Sequence, residues 1–239
     1  MAGFSDQERM INLITYINIG MYVLSLLLNP RHANFAFNPF DFLSPSNRSL
    51  LILGSTGTVA ILDLHRWWSL VSANYLHGSL LHIVFNVIAL RQIGPLVIRE
   101  YGGYRMFAIY TLGGVGGFVL SFLAGIRFTI GASAAVCALI GAMLYYGKSR
   151  GGAYGQNIYS QIGGWAISIF VFGFMVPGIN NWGHGGGMAT GALVGYLLGY
   201  RERAPENIRH KFLGVSCALV TAVVLLWAAL SGILYILFS

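Results

Sequence analysis

Long apolar runs separated by short polar stretches dominate this sequence. We identify seven runs, each close to the roughly 20 residues that a helix needs to cross a hydrocarbon core about 30 Å thick. They are Ile11–Leu28, Leu80–Ile98, Met106–Ile126, Gly131–Tyr146, Tyr159–Val176, Trp182–Tyr200 and Phe212–Leu237. The second run contains His82, Asn86, Arg91 and Gln92, which predicts a helix that faces protein or water. The pattern as a whole predicts an all-α polytopic membrane protein.

The segment between the first two runs follows a different pattern. Its apolar patch, Leu50–Leu62, is too short to span a membrane and is interrupted by Gly54 and Gly57. Such a patch lies in the membrane interface or re-enters the membrane. The stretch His65–Trp68 combines basic and aromatic side chains, which is typical of an interfacial anchor. Whether this segment belongs to the functional site or only rests on lipid stays open at this point.

Composition supports a membrane protein. Hydrophobic residues make up 56% of the chain and charged residues only 9%, whereas about a quarter of the residues of a soluble domain are charged. The formal net charge is +7, but the basic residues lie in short stretches between apolar runs, where they set orientation in the bilayer. Nucleic acid is therefore not expected as a partner. Cys137 and Cys217 lie inside apolar runs without metal-binding spacing, and we expect no metal site.

The distribution of Lys and Arg predicts the orientation. With the N-terminus in the cytoplasm, nine Lys and Arg residues lie on the inner side and four, Arg31 among them, on the outer side. Positive charge concentrates on the cytoplasmic side of membrane proteins, so residues 1–10 are predicted to form a short cytoplasmic N-terminus. Residues 201–239 then comprise a cytoplasmic basic loop and a final span. The short loops suit a bacterial inner membrane.

This orientation brings candidate reactive side chains to a similar depth. The second, fourth and sixth runs enter from the outer side, and His82 with Asn86, Ser133 and His184 lie within about two helical turns of their starts. A lone serine in a span usually serves packing, and a lone histidine often bonds between helices. Together, however, a serine and a histidine satisfy the nucleophile-plus-base requirement.

A ridge of glycines predicts how these two residues meet. In the sixth run glycine recurs at every fourth position, an arrangement that lets two helix backbones approach closely: Gly183, Gly187, Gly191, Gly195 and Gly199. The fourth run offers the matching small face, with Ala134, Ala138 and Ala142 at the same spacing. We therefore expect the two helices to pack and to deliver His184 towards Ser133.

Three further groups complete the candidate site. His82 and Asn86, four residues apart, share a helix face, and both can donate hydrogen bonds to an oxyanion, as can the Ser133 amide. A polar pair that only bonds between helices is the alternative. His77 is expected in the preceding loop. The seven acidic residues lie outside the candidate catalytic positions, so a Ser-His dyad is favoured over a Ser-His-Asp triad, an aspartyl dyad or a carboxylate metal site.

Three motifs, taken in order, give a resemblance to a known family. They are Asn74–Asn86 with its H-x-x-x-N spacing, Gly131-Ala132-Ser133, and Asn181–Gly187 followed by Gly191. This set resembles the rhomboid intramembrane serine proteases over roughly residues 11–200.

The resemblance implies a six-helix core with the seventh helix as an addition. It implies Ser133 as nucleophile, His184 as base, and His82 and Asn86 as oxyanion donors. It also implies no cofactor, a lipid bilayer as the medium, and transmembrane proteins as substrates, cleaved near the outer membrane boundary.

The chain departs from the family pattern at a few positions. The first loop has Trp68-Ser69 and Ser72 where the family often has Trp-Arg and Thr, Cys137 replaces a frequent aromatic residue, and Ile98 replaces a glutamate, with Glu100 nearby. A catalytically silent relative that binds transmembrane clients is therefore the alternative function. A transporter or channel is disfavoured, because the chain shows no internal repeat and Arg91 is the only charge placed within a span.

Overall fold

The structure, a computed structural model, describes residues 2–29, 34–35, 38 and 40–238. Met1 and Arg31, which the orientation argument used, lie outside these residues. The described part of the chain contains nine α-helices: α1 Ala2–Leu27, α2 Asn47–Ile52, α3 Ser69–Ser72, α4 Leu80–Tyr101, α5 Gly103–Leu123, α6 Ser133–Arg150, α7 Gly152–Met175, α8 Asn181–Leu198 and α9 Ile208–Phe238. It also contains a short antiparallel strand pair, β1 Asn34–Phe35 and β2 Phe42–Ser44.

Seven of these helices overlap the seven apolar runs, and the mostly helical structure is consistent with the predicted all-α fold. Among the described residues, five helices have the length and composition to cross a membrane: Glu8–Leu27 within α1, and α4, α5, α7 and α9. The helices α6 and α8 are each 18 residues long and fall outside this set, since small and polar residues lower their hydropathy. The count of six core spans plus one stays a prediction.

The patch Leu50–Leu62 does not form one continuous helix, as its short length and its glycines predicted. The segment after β2 forms α2, a π-helical turn Val59–Asp63 and, after a loop, α3 with the 3₁₀ turn Ala73–Tyr75. Gly54 has φ +93°, and a Cβ there would lie 2.8 Å or less from the ring of Trp68. Only glycine permits both this backbone conformation and the close approach of the indole ring.

The described chain divides into two compact units. The first comprises residues 1–91, 125–132 and 219–239, of which only the described residues are discussed. Within it, backbone hydrogen bonds in both directions join Thr56 to Thr129, at 3.0 and 2.8 Å, and the Gly131 N–H donates to the Ala73 carbonyl at 2.9 Å. The end of α9 packs at Gly232, where a Cβ would meet Leu53 and Leu28 at 3.1 and 3.2 Å. This unit therefore fixes the segment after β2 against residues 125–132.

The second unit comprises residues 92–124 and 133–218. Its core is formed by α5, α6 and α8, which pack on one another with buried small residues facing buried small residues. The α8–α9 connection is held by Arg105, which lies in the first turn of α5 and is fully buried. Its guanidinium donates to the carbonyls of Ala204 and Pro205 at 2.9 and 3.0 Å. Arg105 is therefore a buried residue that stabilises the α8–α9 connection, and not an exposed charge in a loop between helices.

Candidate active site

Ser133 is the first residue of α6. It is half-buried, whereas the residues around it, from Gly131 to Met143, are all buried. The backbone N–H groups of a first helical turn have no partner within the helix. The sequence therefore folds so that a partly exposed serine lies at the start of a helix, where the amides lack partners inside the helix and the helix dipole has its positive end.

The predicted packing of α8 on α6 is confirmed over three glycines. A Cβ at Gly187 would meet the backbone of Ala134, and a Cβ at Gly191 that of Ala138. A Cβ at Gly195 would meet the Tyr101 hydroxyl at 2.9 Å and the Cβ and Cα of Ala142 at 3.1 and 3.3 Å. Each step advances four residues on both helices, so α6 and α8 run parallel in a fixed register.

The register places the first turns of the two helices side by side. His184 lies three residues before Gly187, and Ser133 lies one residue before Ala134. His184 is buried, with 7% of its surface exposed. The helix contact therefore brings the turn that carries the candidate base beside the turn that carries the candidate nucleophile.

The first and last glycines of the ridge, Gly183 and Gly199, do not pack on α6 in the same way. Gly183 faces α5, where its carbonyl would lie 2.6 Å from a Cβ on Gly117. The expectation that Gly199 packs on α6 is wrong, since a Cβ there would have nothing within 4 Å. Gly199 instead ends α8 with φ +67°, a left-handed conformation that suits glycine at a helix terminus.

Sequence reasoning missed two residues that hold the start of α8. The Asn180 Oδ1 accepts from the Gly183 N–H at 3.1 Å, which caps the helix. Its Nδ2 donates to the Ser121 Oγ at 2.7 Å, and that hydroxyl donates to the Gly117 carbonyl at 2.9 Å. Asparagine before a helix is a recognisable capping signal, but its partner on α5 could only come from the structure. The pair fixes the turn that carries His184.

Cys137 lies one turn after Ser133 and is 1% exposed. It is a free cysteine in the buried part of α6, so its thiol is shielded from solvent.

The predicted oxyanion pair lies in the first unit, at the start of α4. Asn86 Nδ2 donates to the His82 carbonyl at 2.9 Å, which confirms that both residues share one helix face. His82 is fixed at its ring as well, because the Gly78 N–H donates to its Nδ1 at 3.2 Å. An Nδ1 that accepts leaves the proton of the neutral ring on Nε2. His82 is therefore prepared to donate a hydrogen bond from Nε2.

His77 is in the loop before α4, as predicted, and is fully buried. Its ring meets that of His82 edge to face with centroids 5.0 Å apart. Burial holds the pKa of His77 well below its usual range, and the neighbouring His82 lowers it further. His77 is therefore a neutral residue that supports the position of His82.

Where the first loop and α4 depart from the family pattern, residues at or near those positions form hydrogen bonds within their own unit. Ser69 Oγ donates to the Thr56 Oγ1 at 2.9 Å, and Ser72 Oγ donates to the Gly54 carbonyl at 2.8 Å, so the loop is anchored. In the second unit, the Glu100 carboxylate accepts from the Tyr154 hydroxyl at 2.7 Å.

Within the part of the chain that the structure describes, no group of three His, Cys, Asp or Glu residues could hold a metal ion.

The comparison with family models settles the classification. The model of the Rhomboid domain matches residues 64–201, more than half of the chain. The chain belongs to the rhomboid family. The matched region begins before α3 and ends just after α8, so it contains Ser133, His184, His82 and Asn86.

Curated relatives agree with this rhomboid assignment. The chain is 30% identical over 198 residues to RHOMBOID-like protein 4 of Arabidopsis thaliana, covering 76% of this chain and 50% of that protein. It is 32% identical over 154 residues to Rhomboid protease GluP of Bacillus subtilis (strain 168), covering 64% of this chain and 30% of that protein. The chain spans about half the length of the plant relatives that it matches. It is an integral membrane protein of this family.

Proposed function

We propose that this rhomboid protein is an intramembrane serine endopeptidase that cleaves transmembrane proteins near the outer membrane boundary. The observation that supports this most is the parallel register of α6 and α8, which sets the turn of Ser133 beside the turn of His184. The name of one relative, a rhomboid protease, agrees with the proposal. The proposed dyad needs no cofactor.

The proposed mechanism follows from the chemistry of the two side chains. His184 takes the proton from the Ser133 hydroxyl, because a serine hydroxyl is a weak nucleophile without a base. The Ser133 oxygen attacks the substrate carbonyl, and His184 gives the proton to the departing amine. Water then hydrolyses the acyl-enzyme with His184 again as base. The partial exposure of Ser133 at the helix start favours access of both substrate and water.

The proposed oxyanion donors are the Ser133 amide, His82 and Asn86. Their assignment rests on the family resemblance together with the state of each group. The Ser133 amide is the first N–H of a helix, and the His82 ring is held with its Nε2 free to carry the proton. Removing one such donor typically costs 10²–10³ in rate, so each donor can be tested separately.

We extend the proposal to membrane placement. Six core helices, α1 and α4–α8, with α9 as an added seventh, form the proposed set of spans, and the bilayer is their medium. The excess of Lys and Arg predicts a cytoplasmic N-terminus. The relatives include both plant and bacterial proteins, so a bacterial inner membrane is one of the membranes that a localisation experiment has to distinguish.

The experiment uses the purified full-length protein in bilayer discs, with a fluorophosphonate probe and a panel of labelled single-span proteins. We expect Ser133→Ala and His184→Ala each to abolish labelling and to lower cleavage at least about 10³-fold. The matched control is Ser168→Ala, since Ser168 is exposed on α7 and bonds only to the Gly164 carbonyl of its own helix. It should leave both readouts unchanged.

Two outcomes separate the candidate functions. Labelling at Ser133 together with cleavage supports the protease. A folded protein that binds single-span proteins but reacts with no probe supports instead the catalytically silent, client-binding relative. Cleavage that survives Ser133→Ala contradicts the assignment of the nucleophile.

A further inference from the structure

A cavity of about 500 Å³ lies within the first unit, between the end of α9 and the segment that contains α2 and Trp68. Apolar and aromatic side chains form most of its wall, with Trp68 on one side and Trp227, Leu234 and Phe238 on the other. None of the catalytic candidates lines it. The cavity is therefore separate from the proposed active site and does not depend on the proposed function.

Positive charge is concentrated at this cavity. Arg66 lines it, and the Arg48 guanidinium lies over the ring of Tyr235, another lining residue, 4.9 Å from the ring centroid. All the other lining residues are uncharged. Arg66 uses Nη1 to donate to the Leu51 carbonyl at 2.8 Å, which leaves other donors of its fork for a ligand. An anion placed here would lie at Arg66, with the positive charge of Arg48 close by at the Tyr235 ring, and would meet no lining carboxylate.

The wall that carries Arg66 is preorganised. The Arg66 N–H donates to the Ala60 carbonyl at 2.8 Å, and the Trp68 ring lies directly on Gly54. A ligand would therefore find its contacts already in place, which lowers the entropic cost of binding.

The cavity lies beside the C-terminal end of a helix that has the composition of a membrane span. Tyr235 and Phe238 belong to the last turn of α9, a 31-residue helix with the composition of a membrane span. Lipid head groups lie at the ends of such helices, where Trp, Tyr and Arg are the usual contacts. A phosphate at the arginines would leave acyl chains to run along Trp227 and Leu234, whose side chains are exposed, at 54% and 43%.

We propose that this cavity binds an anionic glycerophospholipid. Its phosphate interacts with Arg66 and Arg48, and one acyl chain lies against Trp227, Leu234 and Phe238. The net negative charge of the head group distinguishes this ligand from a zwitterionic lipid, since the site holds two positive charges. The acyl contact distinguishes it from free phosphate.

The test is a titration of the detergent-purified full chain with phosphatidylglycerol, phosphatidylcholine or inorganic phosphate, followed by native mass spectrometry. We expect phosphatidylglycerol to bind at least about tenfold more tightly than phosphatidylcholine, and inorganic phosphate not to displace it. Arg48→Gln and Arg66→Gln should each weaken binding roughly fivefold. The matched control is Arg127→Gln, because Arg127 is an exposed arginine of the same unit that does not line the cavity.

Arg48 is the decisive position, because its side chain is exposed and its replacement leaves the framework bonds of Arg66 intact. A thermal melt of each variant shows that the protein is folded. Equal binding of the two lipids, displacement by inorganic phosphate, or unchanged affinity in Arg48→Gln would each overturn the proposal.

Discussion

The contact between α6 and α8 can be tested at Gly191. A Cβ built there lies 2.5 Å from both the Cα and the carbonyl carbon of Ala138, and closer still to the oxygen. Ordinary contacts of this kind are 3.4–4 Å long. Gly191→Ala therefore requires the two backbones to separate by about 1 Å, because neither helix backbone can rotate away as a side chain could.

The expected loss of stability in Gly191→Ala follows from this displacement. Overpacking a close contact typically costs 1–3 kcal/mol, and a backbone contact belongs at the upper end, about 3 kcal/mol. Alanine recovers about 1 kcal/mol through its better helix propensity, which leaves a net loss of about 2 kcal/mol. For a protein of this size that corresponds to a fall in Tm of roughly 4–8 °C. A shift of about 1 Å between base and nucleophile should also lower cleavage about 10²-fold.

The matched control is Gly185→Ala on the same helix, next to His184. A Cβ there would meet only the Phe170 ring, at 3.5 Å, so we expect no fall in Tm and wild-type cleavage. The assay is a thermal melt of each purified variant, followed by fluorophosphonate labelling at a temperature where all variants are folded. If Gly191→Ala melts and reacts like Gly185→Ala, the register argued for α6 and α8 is wrong.

Three further predictions concern the supports of the site. Ser121→Ala removes the acceptor of the Asn180 amide, and we expect kcat to fall about tenfold with KM unchanged. Ser121→Thr should restore kcat. A change in KM alone would contradict the positioning role. His77 is buried with a lowered pKa, so its contribution to stability is complete above the unfolded pKa of about 6.5 and is lost as pH falls below it, by about 1.4 kcal/mol per pH unit. Melts between pH 7.5 and 5 should show a shallower pH dependence in His77→Phe, and equal slopes would refute this. Arg105→Met leaves the carbonyls of the α8–α9 connection without their donors and should cost about 3 kcal/mol in a thermal melt, whereas the exposed Arg209→Gln should cost nothing measurable.

The sequence predicted the helices because membrane helices are determined locally. Every backbone group of a span must be satisfied within that span, so the apolar run from Phe212 to Leu237 already implied a helix like α9. The spacing of Gly187, Gly191 and Gly195 also predicted close packing, since glycines four residues apart lie on one helix face. The motifs around Ser133 and His184 carried the family resemblance for the same reason, namely that each is a short continuous stretch.

The helix boundaries were less predictable. The third run was expected to begin at Met106, but α5 begins at Gly103. Arg105 therefore lies inside the helix, where two carbonyls about a hundred residues later in the chain accept hydrogen bonds from its guanidinium. No local pattern contains that information.

What the sequence by itself determined was the set of apolar helices, the small faces that can pack, and the candidate groups near the helix starts. Only the tertiary structure decided which faces meet, that Gly199 ends a helix instead of packing, that Asn180 is held by Ser121, and that Gly78 fixes the ring of His82. Periodicity and composition report the preferences of neighbouring residues. The contacts that orient a side chain join residues far apart in the chain, and their geometry exists only once the helices have packed.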